Sequence, residues 1–175
     1  MNGNGMKKTA AILAAAMAMA CASPAYAFPF GWGKKAESTA EKTEYAFIYQ
    51  ETEIKVDGEA APVLKALGTP VKTFEQDSCA YQGKDKIYTY PGFELGVYPL
   101  GGMDRISSVY IIDDTVSTPE GIKCGSTVED VIKAYGKGYE EQFGVYRYVL
   151  GNSELSIYTT NKVVDAIEYQ IAPVK

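Results

Sequence analysis

From Tyr45 to Val56 the apolar side chains alternate with polar ones, Tyr45, Phe47 and Tyr49 sharing one face and Ile54 and Val56 continuing it. Period-two alternation belongs to a half-buried strand, so this stretch reads as a strand pair or one bent strand. The period then changes. Ala60, Val63, Leu64 and Leu67 follow at spacings of three and four, and the pattern stops at Gly68 with Pro70 beyond. That predicts a short amphipathic helix over residues 59–67, with Pro62 in its first turn, where a missing amide proton costs least. A second stripe of Val128, Val131, Ile132 and Tyr135 ends at Gly136, and Ser126 followed three residues later by Glu129 predicts its capping box.

Three strand-like runs follow each helix. They are residues 86–90, 93–98 and 105–112 in the first case, and 145–150, 154–158 and 163–171 in the second. Turn residues separate them: Pro91-Gly92, Gly101-Gly102, Gly151-Asn152 and Thr160-Asn161. Connections this short exclude parallel pairing, which needs a crossover of about a dozen residues. The two sets are also related in sequence. Fifteen residues from Ile54 match the fifteen from Ile122 without a gap, with identity at Ile54/Ile122, Lys55/Lys123, Val63/Val131, Lys65/Lys133, Ala66/Ala134 and Gly68/Gly136. The predicted fold is α+β, two tandem repeats (45–116 and 117–175), each a short helix packed on an antiparallel meander.

Alternation also assigns faces. Phe93, Leu95 and Val97 point inward and leave Glu94, Gly96 and Tyr98 outward; Leu155 and Ile157 inward expose Glu154, Ser156 and Tyr158. Tyr88, Tyr90, Tyr146 and Tyr148 read as core, with Lys86 and Arg147 in water. The outward set places Tyr98 and its repeat mate Tyr158 beside Glu94, Glu154, Tyr110, Arg147 and Glu168. Aromatic anchors beside charge are what protein and glycan binding faces use, although tyrosine also favours strands on any sheet.

The first 27 residues do not fit this scheme. Lys7 and Lys8, an apolar run from Thr9 to Ala20, and Ala25-Tyr26-Ala27 form a secretory signal peptide, with translation beginning at Met6 and cleavage after Ala27. No stretch approaches the roughly 20 apolar residues of a spanning helix. Residues 28–44 pass from aromatic and glycine-rich to charged without an apolar period and read as a flexible linker. Cys21 offers a competing lipidation site, which places the chain on the cell envelope by a tether instead of free outside the cell.

Cleavage removes two of the 17 basic side chains and none of the 22 acidic ones, leaving a net charge of −7. Such a chain is repelled by phosphate backbones and anionic lipid, so nucleic acid is not an expected partner. Cys79 and Cys124 remain; export permits a disulfide between them, whereas the match of Cys124 to Val56 fits buried thiols. The chain contains no histidine. That excludes histidine-assisted serine or cysteine catalysis and the usual zinc sites. Asp113-Asp114 and Glu140-Glu141 are adjacent and diverge, as solvated turns do. No catalytic set, metal site or cofactor is expected.

Gly121-Ile122, then Gly125-x-Thr127-x-x-Asp130-Val131, then Tyr135-Gly136 resembles the helical motif of the β-lactamase inhibitor protein and the SmpA/OmlA-type envelope lipoproteins. That resemblance implies helices on one face of an antiparallel sheet, in tandem as in the inhibitor. Residues 78–90, with Ser117-Thr118-Pro119-Glu120-Gly121, also resemble uncharacterised exported proteins of Gram-positive anaerobes. The expectation is an exported, non-enzymatic binding module that engages a protein or cell-envelope glycan through an exposed sheet face. A lipid-anchored structural or assembly-assisting envelope protein is the alternative, and a carboxylate-only enzyme the third reading.

Overall fold

In the computed structural model, residues 42–173 are described. The expected signal peptide and cleavage point, Cys21 and the expected linker as far as residue 41 lie outside the described residues. The last linker positions are tied to the fold: Lys42 pairs with Glu120 and Glu44 with Lys55.

The chain enters as a hairpin of β1 (Phe47–Tyr49) and β2 (Thr52–Ile54), so the first alternating stretch is a strand pair. Helix α1 (Ala60–Leu67) follows, then β3 (Lys72–Asp77), β4 (Lys84–Tyr90), β5 (Phe93–Leu100) and β6 (Met103–Ile111). Helix α2 (Val128–Tyr135) precedes β7 (Glu140–Gln142), β8 (Val145–Leu150), β9 (Ser153–Thr160) and β10 (Val163–Ile171). All eight later strands form one antiparallel sheet in the order β3-β4-β5-β6-β10-β9-β8-β7. The fold is mostly antiparallel sheet with two short helices.

Each helix is thus followed by four strands, one more than the pattern predicted. Every residue of β3 is exposed, and β7 is Glu140-Glu141-Gln142, so neither edge strand carries a buried face for alternation to reveal. Glu140 and Glu141 are therefore strand residues, not a free turn, and Glu141 Oε1 accepts a hydrogen bond from Gly144 N at 2.9 Å. Asp113 does cap a turn, accepting from Thr115 N at 2.8 Å.

The core lies between one face of the sheet and the helices with the β1–β2 hairpin. Phe93, Leu95, Val109, Ile111, Ile157 and Ile167 are fully buried there, and Val63, Leu64, Val131 and Tyr135 reach them from the helices. Each such aliphatic side chain stabilises the fold by about 1.5–3 kcal/mol relative to exposure. The tyrosines assigned inward are inside: Tyr90 and Tyr148 are buried and donate to the carbonyls at the two helix ends, Gly68 O at 3.2 Å and Gly136 O at 3.1 Å. Such carbonyls have no partner within their own helix. Lys86 departs from the expectation. It shares the inward side of Tyr88 and Tyr90, in register with buried Val97, and its ammonium reaches Asp104 at 2.6 Å.

The loop before each helix closes onto the outer half of a strand. Asp57 N donates to Ile106 O at 2.7 Å and Ile106 N to Gly58 O at 2.9 Å; Gly125 N donates to Val164 O at 2.8 Å and Val164 N to Ser126 O at 2.9 Å. This shifts the cap of α2. With the Ser126 carbonyl bonded to β10 and Thr127 extended, the cap falls one residue later, at Thr127, whose Oγ1 accepts from Asp130 N at 3.2 Å while Asp130 Oδ2 accepts from Thr127 N at 3.2 Å. The box is Thr127–Asp130, not Ser126–Glu129. Ser126 Oγ accepts from Lys123 N instead, at 3.1 Å. In urea denaturation, Thr127→Ala should lower stability by about 1 kcal/mol, whereas Glu129→Gln should change it by less than about 0.5 kcal/mol; equal effects would contradict this cap.

Candidate binding face

Residues directly opposite one another on neighbouring strands share a face. One row across the sheet runs Thr89, Glu94, Tyr110, Glu168, Ser156 and Arg147. The next runs Phe74, Ile87, Gly96, Ser108, Gln170 and Glu154. Both face away from the helices. Among the described residues no helix or strand packs over them. The face holds Tyr98, Tyr158, Glu94, Glu154, Tyr110, Arg147 and Glu168 on one side of the sheet, as alternation required.

Their exposure differs from expectation in one region. Glu154 and Ser156 are buried, Glu154 keeping 4% of its surface. Strand β9 lies inside the sheet, and longer neighbours close over it: Glu154 Oε1 accepts from Gln170 Nε2 at 2.8 Å and Ser156 Oγ at 2.9 Å, with Arg147 Nε at 3.6 Å. A buried carboxylate needs such partners, so Glu154 organises the face instead of presenting a free charge. Alternation reports which side a residue takes and is silent on what its lateral neighbours cover.

The second correction concerns the tyrosine pair. Each half carries one β-bulge. In β6 the extra residue is Ser107, between Gly96↔Ser108 and Val97↔Ile106; in β10 it is Asp165, between Tyr158↔Ala166 and Thr159↔Val164. Matching the bulges sets Tyr158 against Gly96, and Tyr98 against Thr160. Set bulge to bulge, Tyr98 and Tyr158 do not coincide. Counting from the turns mispairs them, because the second hairpin runs two residue pairs past Tyr148↔Leu155, whereas Tyr90↔Phe93 closes the first.

The two tyrosines also do different work. Tyr158 OH donates to Glu168 Oε2 at 2.7 Å, and its ring meets Tyr110 edge-on with centroids 6.3 Å apart. Burial, then the bonded Glu168 carboxylate, pushes its phenol up to about 12. Tyr98 OH instead donates to Asp57 Oδ1 at 2.6 Å, the oxygen that also accepts from Arg105 Nε at 2.7 Å, while the Arg105 fork bonds the Asp57 carbonyl. These bonds hold Asp57 at φ 59°, a left-handed conformation uncommon outside glycine. Tyr98 therefore fastens the β2–α1 loop. Burial, then Asp57, pushes its phenol up to about 12, and the hydrogen bond from Tyr98, then Arg105, holds the Asp57 carboxyl below its ordinary value.

Beside Tyr98 the face opens into a groove of about 320 Å³. Phe74 and Ile87 form one exposed apolar wall, and the rings of Tyr81 and Tyr98, with centroids 5.4 Å apart, form the other. The floor is Gly96 with Ser107 and Ser108. The bulge turns both serines outward, and a Cβ on Gly96 would meet their Oγ atoms at 2.6 and 2.7 Å. None of Phe74, Tyr81, Ile87, Ser107 or Ser108 was singled out from sequence. The available signal was Gly96, since glycine inside a strand marks a bulge or a close approach.

Cys79 and Cys124 are free, so the disulfide is not formed. Cys79 is exposed on the β3–β4 connection, which also removes it from the expected buried thiols. Cys124 Sγ donates to Asp165 O at 3.1 Å, and burial pushes its thiol up. Among the described residues no three acidic or thiol side chains converge to hold a metal ion, and no helix is long and apolar enough to cross a membrane.

No family model matches the chain, and no curated protein matches it. Its fold is similar to a solved structure of an extracellular protein containing an SCP domain from Bacillus anthracis str. Ames, at 13% identity and a TM-score of 0.51, covering 66% of this chain. The match spans 44% of that protein, less than half its length. A DUF4309 family protein (YjgB) from Bacillus subtilis subsp. subtilis str. 168 is 18% identical over 68% of this chain and 82% of its own, with a TM-score of 0.40.

The Asp57 anchor gives the pH dependence a sign. A carboxyl held below its unfolded value contributes stability that is present above that value and lost as pH falls through the folded one. Wild type should therefore lose stability more steeply than Asp57→Asn as pH falls below about 4, measured by urea unfolding at each pH. Parallel curves would remove the anchor.

Proposed function

We propose that this chain is an exported, non-enzymatic binding module, built from two related helix-and-meander halves, that engages a protein or cell-envelope glycan through the outer sheet face. The carrying observation is that face itself. Both helices and the β1–β2 hairpin pack on the other side, and the outer side keeps aromatic rings beside fixed charges with no helix or strand laid over it among the described residues. The Glu154–Arg147–Gln170 network lies on the same face beside its tyrosines. Networks of that kind hold side chains in one arrangement, which a binding surface uses to avoid ordering costs on association.

The duplicated architecture is supported by bonds that recur in each half: the pre-helix loop to Ile106 or Val164, and Tyr90 or Tyr148 to the glycine at the helix end. Export is supported by the leader pattern of residues 7–27. The reading of a lipid-anchored envelope component differs at the amino terminus alone. Mass spectrometry of the mature chain separates the two, a free Phe28 favouring the first and an acylated Cys21 the second.

Tyr110 and Tyr158 test the face better than Tyr98, whose loss also releases Asp57. In co-sedimentation with purified cell walls and pull-down of secreted proteins, Tyr110→Ala with Tyr158→Ala should weaken the dominant interaction at least tenfold, about 1.4 kcal/mol. If every captured interaction keeps its strength in the folded double variant, the outer face is not the site.

A further inference from the structure

The two halves build the same bulge and then finish it differently. In the second half the position facing the bulge carries Tyr158 over Ala166; in the first it carries Gly96 over Ser108. One half supplies its own six-membered ring, held at the tip by Glu168, and the other leaves the equivalent ground open and lines it with two hydroxyls. None of the described hydrogen bonds uses Ser107 Oγ or Ser108 Oγ. The open ground is walled by the Tyr81–Tyr98 pair on one side and Phe74 with Ile87 on the other, and its 320 Å³ falls at the lower end of the range for small-ligand sites, about 300–1,000 Å³.

Charge narrows the occupant. Asp85 and Lys86 are the charged side chains of the lining, and the Lys86 ammonium is held by Asp104 at 2.6 Å on the inward side of the strand. No free cation is left in the groove to attract an anionic group. What remains is flat apolar wall, hydroxyl floor and the Gln76 amide at the rim. A ring with apolar C–H faces and uncharged hydroxyls around its edge matches that set: the faces lie on aromatic walls, and the edge groups pair with serine, amide and carboxylate.

We propose that the groove over Gly96 is a saccharide subsite that takes one or two neutral pyranose rings, Ser107 and Ser108 hydrogen-bonding the sugar hydroxyls and Tyr81 stacking on a ring face. This rests on the binding reading above and names the ligand class for one part of the face. It also assigns Phe74 and β3 a role, since that edge strand contributes a wall and little to the core.

The test is calorimetric titration of the full chain with neutral tetrasaccharides of glucose and of N-acetylglucosamine, and with a tyrosine-containing tripeptide. Saturable binding of a saccharide is expected, weakened at least tenfold by Ser107→Ala with Ser108→Ala and by Tyr81→Ala. Those side chains lie outside the core, and circular dichroism confirms folding of each variant. The proposal is overturned if neither saccharide binds, if binding stays within twofold in both variants, or if the tripeptide alone binds. Partner capture that is lost with Tyr110→Ala and Tyr158→Ala while no saccharide binds would sink the subsite and leave the binding face standing; saccharide binding weakened by the groove variants, with partner capture unchanged in Tyr110→Ala with Tyr158→Ala, would keep the subsite and remove the Tyr110–Tyr158 part of the face.

Discussion

The pairing of β6 with β10 is the seam on which everything else rests. Four residue pairs, from Ile167↔Ile111 to Gln170↔Ser108, make one eight-stranded sheet out of two four-stranded meanders. Ile111, Val109, Ile167 and Tyr169 of the seam are among the most completely buried side chains, so the core of one half continues into the other. The other side of the same four pairs places Tyr110 beside Glu168 and Ser108 beside Gln170, at the middle of the outer face. A sheet of this size without the seam would expose two long edges, an invitation to non-native pairing. Where β6 and β10 run past each other, the loops at Asp57-Gly58 and Gly125-Ser126 take up the free backbone groups.

Those loops explain why the helices sit where they do. Each is stapled to a strand immediately before its helix begins, so the helix has no choice but to fall on the inward face, and the tyrosine from β4 or β8 then ties its far end. The α2 end is the better built. It has a reciprocal Thr127–Asp130 cap with Glu129 and Asp130 in the first turn, whereas Glu59, at the N-cap of α1, makes no side-chain cap bond. The first half compensates with the Asp57–Arg105–Tyr98 cluster, which fixes the same loop from the opposite side of the sheet.

When the two bulges are set against each other, the inward positions on either side of the seam hold like side chains and the outward positions do not. Inward positions in both are filled by the same kinds of side chain, Leu95 answering Ile157 and Val109 answering Ile167. Outward, Gly96 answers Tyr158 and Ser107 answers Asp165. Core positions tolerate little change of volume or polarity. A solvated face carries no such restriction, so function can reside in one half alone. The fold similarity to part of an extracellular protein concerns the scaffold and leaves these outer differences to this chain's own residues.

Period and punctuation in the chain were sufficient to locate both helices, six of the ten strands and the side of the sheet that Tyr90, Tyr98, Tyr110, Tyr148 and Tyr158 take, because those follow from spacing within a single segment. Spacing alone does not decide whether residues 45–56 form a hairpin or one bent strand. The edge strands β3 and β7 escaped, having no buried side to set a period. The cap of α2 moved by one residue because a strand remote in sequence claimed the backbone of Ser126. Tyr98 and Tyr158 were mismatched because the register of a strand pair is set by its bulge and its partner, not by counting from the turn. Glu154 vanished beneath Arg147 and Gln170, and the groove arose from six side chains on five separate segments. Local spacing encodes which way a side chain points; what stands beside it depends on strands brought together from across the chain.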